Sequence, residues 1–321
     1  MGMKQITLAE GGFDAYRKVT RREQFLADME RVVPWQALVS LIEPVYPKQT
    51  GAGRPPIELV KMLRIYFLQQ WYDLSDPGVE EALYDSVSMR RFVGIDLGAE
   101  AAPDESTICK FRHLLEAHHL GDRMFAAVNV HLAESGLKVS RGTMVDATII
   151  SAPSSTKNRD KARDGEMHQT KKGNQWYFGM KAHIGADTKT KLIHSVVASA
   201  ANVHDSVALP DLLHGQETRV YGDKAYAGQG RTIQAHAPNA KDFTQRKAYR
   251  HCKLSERDEQ ANYHKSKVRA KVEHNFCIIK RQFKFVKVRY RGLRKNAHRL
   301  FVLCGLTNLF LARRHLLRLQ G

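Results

Sequence analysis

Three acidic residues stand where their type is unexpected. Asp146 sits inside Met144-Val145-Asp146-Ala147-Thr148-Ile149-Ile150, an apolar and β-branched run that reads as a strand. Aspartate is depleted in strands, and burying its carboxylate without a partner is costly. Asp223 closes a second strand-like run, Arg219-Val220-Tyr221-Gly222-Asp223. Glu273 lies in a helical segment, and from His264 onward it is the one acidic residue beside sixteen Lys and Arg. Each has a structural explanation when taken singly. The aspartates suit a cap or an ion pair, and Glu273 suits pairing with Arg269, four residues back on the same helical face. Together, two strand aspartates and one helix glutamate can converge on a point. Three carboxylates repel one another unless cations hold them, and Mg²⁺ takes oxygen ligands of this kind. Two such ions about 4 Å apart activate the attacking oxygen and stabilise the leaving oxygen of a phosphodiester. Lys280 continues the face of Arg269 and Glu273, so cations flank the acid where metal and phosphate would meet.

The composition agrees with a polyanionic partner. The 321 residues carry 51 Lys and Arg against 33 Asp and Glu, a formal charge of +18. Such a surface attracts nucleic acid or an acidic membrane. The membrane reading is the weaker one. The most apolar stretch, residues 300–312, falls short of the roughly 18 residues a span needs and contains Thr307 and Asn308. The first residues have no apolar core of a secretory signal. Cys109, Cys252, Cys277 and Cys304 are scattered without a Cys-x-x-Cys pair, which disfavours a disulfide framework or a zinc ribbon. Reduced thiols in the cytoplasm are the expectation.

The elements that must position these acids divide into two parts, as a prior of roughly 150 residues per domain suggests. Residues 1–135 read as short helices: 21–29; 57–71, with Pro55 and Pro56 at its first turn; one opened by Ser75-Asp76-Pro77; one opened by Asp104 and ended by Gly121; and 125–133. From residue 136 the pattern changes to mixed α/β. After the Asp146 strand comes a polar loop, 154–174. A strand pair, 175–184 and 191–198, follows, turning at Gly185-Ala186-Asp187. Then come a helix over 205–213, the Asp223 strand and a helix over 229–236. Residues 237–262 are polar and unassigned. Helices over 264–281 and 299–317 complete the chain, the former with Val268, Val272, Phe276 and Ile279 on one stripe. The expected fold class is therefore α+β multidomain, an all-helical domain (1–135) followed by a mixed α/β domain (136–321).

Several longer segments resemble one family. They include Pro-Pro-Ile-Glu-Leu-Val-Lys-Met-Leu-Arg from Pro55, Gly142-Thr-Met-Val-Asp-Ala-Thr-Ile-Ile, His168-Gln-Thr-Lys-Lys-Gly-Asn-Gln-Trp, Ala201-Asn-Val-His-Asp and Val272-Glu-His-Asn-Phe-Cys-Ile-Ile-Lys-Arg-Gln-Phe. Through them the chain resembles bacterial insertion-sequence-five transposases, within the insertion-sequence-four-like DDE superfamily. The resemblance implies a ribonuclease-H-like catalytic core in 136–321, with Asp146, Asp223 and Glu273 as catalytic triad and metal ligands. It implies two Mg²⁺ or Mn²⁺ ions per active site. It also implies a helical domain over 1–135 that binds the element's terminal inverted repeats, a homodimer on paired DNA ends, target DNA as second partner, no membrane, and a nucleoid-associated bacterial enzyme. Arg269 and Lys280 match the family's signature cations. Its signature Tyr falls on Ser266, a departure that leaves that role to Tyr263 or to no residue.

Other residues have the chemistry of DNA contacts. Lys181 and His183 alternate along a strand and are expected on the side to which Asp146 points, near the scissile phosphate; the plainer reading is a polar strand face. His204-Asp205 reads as a helix cap. The helix after Asp104 offers Lys110 and Arg112, although an amphipathic helix explains it equally. Tyr226 is the aromatic best placed to meet DNA, whereas Trp176 and Tyr177 are expected in the core. The basic run 284–299 is expected to meet phosphate. Two other functions remain in view: a metal-dependent nuclease without strand transfer, and a domesticated DNA-binding protein that no longer cuts.

Overall fold

The computed structural model describes residues 18–49, 51, 55–159, 161–249 and 253–320. The N-terminal residues read for a signal segment, part of the turn before Pro55, and Cys252 lie outside this set. Cys109, Cys277 and Cys304 are free thiols.

The first part is helical, as the spacing predicts. It comprises α1 (Arg21–Val32), α2 (Trp35–Ile42), α3 (Leu59–Tyr72), α4 (Asp76–Asp85), α5 (Val87–Val93), α6 (Glu105–Ala117) and α7 (Leu120–Glu134). Ser75 caps α4 by accepting from the Gly78 amide, and Asp104 caps α6 by accepting from Thr107. Two local readings change. Pro55 and Pro56 precede α3 rather than opening it, because Glu58 is the residue at its N-cap. Gly121 does not break the α6–α7 connection but lies inside α7. The break is at His119, with φ of +49°. Gly121 is required for another reason: a Cβ there would come within 2.8 Å of the His298 ring and carbonyl.

The second part is a sheet with the order β2-β3-β1-β5-β6, β4 pairing with β3. Its strands are β1 (Gly142–Ser151), β2 (His168–Lys172), β3 (Gln175–Asp187), β4 (Ile193–Ala200), β5 (Arg219–Tyr221) and β6 (Lys241–Asp242). β1, β3 and β4 are antiparallel, whereas β5 runs parallel to β1 and β6 parallel to β5. The loop expected at 154–174 contains β2, a polar strand that pairs with the near half of β3. The turn expected at Gly185-Ala186-Asp187 falls three residues later, at Thr188–Thr190, because those residues still pair with β1 and β4. Gly185 serves close packing there, since a Cβ would meet the Leu212 carbonyl at 2.5 Å. Between β4 and β5 lie a 3₁₀ turn (Asp205–Ala208) and α8 (Leu209–Leu212). After β5 come a second 3₁₀ turn (Lys224–Tyr226) and α9 (Gly230–His236).

The helix expected over 264–281 starts eight residues earlier and changes pitch. It runs as α10 (Glu256–Arg269), a 3₁₀ turn (Ala270–Val272), α11 (Glu273–Cys277) and a π-helical turn (Ile278–Gln282). The Phe283 amide donates to the Ile278 carbonyl, five residues back. Val272, Phe276 and Ile279 are buried as the stripe predicts, and Val268 packs against them partly exposed.

The last helix, α12 (Leu293–Leu319), is longer than 299–317. By length and composition it could cross a membrane, which the apolar stretch alone did not indicate. In this fold its apolar side is core. Leu300, Leu303, Leu306 and Leu309 are buried, and the helix packs on α7, α1 and β4. Asn308, fully buried, accepts from the Ile193 amide and donates to its carbonyl, tying α12 to the sheet. One cluster of buried apolar side chains thus runs from Leu26 in α1 through Met144 and Ile184 in the sheet to Leu316. A smaller one, with Val145, Leu209, Val220 and Tyr226, fills the opposite face of the sheet.

Candidate active site

Strand pairing brings the two aspartates together. β1 and β5 pair in parallel with Met144 beside Tyr221, and Asp146 and Asp223 each lie two residues beyond that pair. Equal offsets on parallel strands put two side chains at one level and on one face. Asp223 follows the end of β5 and caps the next 3₁₀ turn, accepting from the Ala225 amide at 2.8 Å. Asp146 is buried, its Oδ1 accepting from the Ala147 amide at 2.8 Å.

Glu273 reaches this face through Arg269. The pitch change over residues 270–272 sits between them, yet Nη1 of Arg269 is 2.6 Å from Oδ2 of Asp146 and 3.3 Å from Oε1 of Glu273. Glu273 is largely exposed, so the site opens to solvent on its helix side. Burial pushes the Asp146 carboxyl up to about 7. Arg269 and the Ala147 amide oppose that rise, and the charges of Glu273 and Asp223 add to it. The pair of ladders and the docked helix therefore bring Asp223 and Glu273 each into electrostatic reach of Asp146. They are not closed around a common point: among the described residues no group of three His, Cys, Asp or Glu is gathered tightly enough to hold a metal ion. A guanidinium stands between two of the three carboxylates. Oxygen-only donors, one of them buried and two already sharing a cation, fit a hard divalent ion such as Mg²⁺ or Mn²⁺.

The raised Asp146 pKa has a stability consequence. Folding favours its protonated form, so its contribution is complete below about pH 4, the ordinary carboxylate range, and is lost as the pH rises toward about 7. Asp146→Asn, without divalent ions, is expected to melt several degrees above the wild type at pH 8, with the gap closing by pH 4. Paired thermal melts across that range check it, and a gap independent of pH contradicts the burial argument.

Other sequence-derived candidates lie elsewhere. Lys181 and His183 are on the wrong face. β3 pairs with β1 so that Asp146 stands opposite Ile184. Lys181 and His183 are each an odd number of residues from Ile184, and alternation sends them through the sheet. There Lys181 pairs with Asp205 at 2.8 Å and donates to the Val203 carbonyl. His183 is buried against Ser199 Oγ at 2.8 Å, and burial lowers its pKa to about 4. His204 caps the turn before that pair, as its sequence suggests.

Arg112 is buried rather than presented to DNA. It bonds Asp76 at 2.9 Å and Glu116 at 3.0 Å, and its guanidinium lies 4.3 Å from the centre of the Tyr290 ring. Lys110, two residues earlier, is exposed. Tyr226 is fully buried in the smaller cluster, so it cannot stack on a base. Trp176, expected in the core, is 64% exposed on the β2–β3 hairpin, opposite Lys171. Lys280 donates to the Ile149 carbonyl at 2.7 Å and is half-buried, which lowers its pKa. That bond ties the helix to β1. The 284–299 run is likewise partly internal: Arg289 and Arg299 both bond Asp73, and Phe285 and Val288 are buried. Ser266, at the family's Tyr position, donates to the Asn262 carbonyl within its own helix. Tyr263 is exposed, with Lys267 over its ring at 4.4 Å.

A second feature is built largely from the 237–262 segment, to which the residue pattern assigns no element. A cleft of about 450 Å³ adjoins the Asp223 loop, lined by Arg246, Lys247, Lys253 and Lys265 with exposed Tyr249. The sequence signal was the cation density of residues 246–253.

Residues 138–309 match the family model described as Transposase DDE domain, and residues 13–114 match that described as Transposase domain (DUF772). Among solved structures, the chain is similar to a piggyBac transposase synaptic complex with hairpin DNA, determined by cryo-EM. The identity is 10% and the TM-score 0.45, over 93% of this chain and 74% of that one.

Proposed function

This chain belongs to the transposase DDE domain family, an enzyme family, and on that footing we propose that Asp146, Asp223 and Glu273 are its catalytic triad. The observation that carries this is that Asp146 and Asp223 each stand two residues past the paired Met144 and Tyr221, Asp223 just beyond the end of β5, with Arg269 joining Asp146 to Glu273 from the helix above. Four antiparallel strands, β1 to β4, extended beside β1 by the parallel β5 and β6, with α10 docked over Asp146 through Arg269, support a ribonuclease-H-like core. We assign two divalent ions, Mg²⁺ or Mn²⁺, to these carboxylates. When bound, such ions supply Lewis-acid activation of the attacking oxygen and charge neutralisation at the leaving one.

The chain's own residues do the rest. Asp146 presents its oxygens from a strand inside the sheet and Asp223 from the turn that its own cap bond to Ala225 fixes at the end of β5, which limits their movement during reaction. Glu273 closes the solvent side from the helix. Arg269, always charged, steadies the phosphate beside the cut. Lys280 and the π turn hold the helix on β1. The reaction is hydrolysis at the ends of an insertion sequence, freeing a 3′-hydroxyl, followed by attack of that hydroxyl on target DNA. Residues 1–135 recognise the terminal inverted repeats, with Lys110 as an exposed contact, and 136–321 carry the chemistry. Two copies on paired ends are the working assembly, in the bacterial cytoplasm at the nucleoid. Family membership supports the insertion-sequence reading, and the resemblance in the segments around Asp146 and Glu273 narrows it to the insertion-sequence-five group.

Pre-cut duplexes bearing the element's terminal sequence, incubated with plasmid, protein and Mg²⁺, are expected to yield joined products. Cleavage of uncut ends without any joining of pre-cut ends would instead indicate a nuclease, and end binding with neither product a non-catalytic DNA-binding protein.

A further inference from the structure

The position of Arg269 has a consequence for how the site is loaded. Its Nη1 lies 2.6 Å from Asp146 Oδ2 and 3.3 Å from Glu273 Oε1. A hard divalent ion held by both carboxylates would need an oxygen of each in direct contact. Guanidinium and ion would therefore compete for the space between the two carboxylates and for the oxygens that face it. Arg269 cannot yield by losing its proton, because guanidinium stays charged at any working pH. It must move. Moving costs it the buried partner Asp146, and its Nε already has no hydrogen-bond partner. A phosphate would compensate, since guanidinium binds phosphate with two parallel hydrogen bonds.

We propose that Arg269 makes metal loading conditional on bound phosphate: it occupies the space between Asp146 and Glu273 until a DNA phosphate draws it away. Arg269 is thus a positioning residue that couples two ligands, and this rests on the triad reading above. By linkage the coupling is reciprocal, so divalent ions strengthen DNA binding by the factor by which DNA strengthens ion binding. A chain free of DNA then holds its ions poorly and assembles its site on substrate.

The test measures binding, not turnover. Mn²⁺ is titrated by calorimetry into the full chain, alone and with a saturating non-specific 20-base-pair duplex, the duplex's own Mn²⁺ uptake being subtracted. Wild type is expected to bind Mn²⁺ about tenfold or more tightly when the duplex is present, within the usual range of coupling between sites. Arg269→Ala and Arg269→Gln are expected to bind Mn²⁺ more tightly than wild type without DNA and to gain little on adding it. Two neutral variants guard against one that fails to fold. A variant that binds Mn²⁺ no better than wild type overturns the inference. So does a variant that keeps the full gain from DNA, because loss of nearby positive charge raises ion affinity without removing the coupling. Asp146→Asn separates this inference from the reading beneath it. If that variant, with the duplex present, binds Mn²⁺ as wild type does, the triad assignment fails; if it binds less while the Arg269 variants behave as wild type, only the coupling fails.

Discussion

Asp146→Asn is expected to bind terminal-repeat DNA about as well as wild type and to lose cutting and joining together. The substitution keeps the side chain's shape and its acceptor for the Ala147 amide, but removes the charge that faces Arg269 and the neighbouring acids. A neutral amide carbonyl holds a hard divalent ion far more weakly than a charged carboxylate does. The loss is expected to reach at least the roughly 10²–10³-fold that removal of one transition-state-stabilising group costs. Asp223→Asn belongs to the same experiment, since both acids sit at one level of the sheet. Binding is read by mobility shift and chemistry by product formation on the same samples. Retained cleavage with intact binding would remove Asp146 from the triad. Lys181→Met serves as a contrast: its partner Asp205 lies across the sheet, so any effect is on stability.

The second large effect concerns Arg112. Its guanidinium neutralises Asp76 and Glu116 in the helical part, with only 7% of its side chain and 5% of that of Glu116 exposed. Removing one partner of a buried ion network leaves uncompensated charge and costs about 3–5 kcal/mol. Arg112→Ala is therefore expected to lower the denaturant midpoint sharply. Lys110→Ala, at an exposed position, is expected to leave it unchanged while weakening DNA binding and reducing its salt dependence by about one unit of slope. If Arg112→Ala instead keeps its stability and loses DNA affinity, Arg112 is a DNA contact after all.

The two cases show what linear sequence carries and what it does not. Residue type and local spacing determined the chemistry: acids in improbable strand positions, a lone glutamate in a cationic segment, and longer segments resembling one transposase family. Caps at Ser75 and Asp104, the helical first part, the Asp146 strand and the Val272-Phe276-Ile279 stripe follow from short-range rules of backbone hydrogen bonding and period. Those rules act within a few residues and are visible there.

Orientation is not. Whether Lys181 and His183 share a face with Asp146 depends on a pairing register set by contacts some 35 residues apart, and a shift of one residue reverses the answer. Whether a cation meets DNA or an internal acid depends on which distant carboxylate packs beside it. Asp76 took Arg112, Asp73 took Arg289 and Arg299, and Asp205 took Lys181. Tyr226 was drawn into a second core that only the β5 crossover creates, while Trp176 was left outside on a hairpin hidden within a polar loop. Composition therefore specified a basic, carboxylate-bearing chain. Tertiary packing decided which charges are spent internally and which stay available, and it put Arg269 between two of the three acids, because a buried carboxylate must find its counter-charge wherever the fold brings one near.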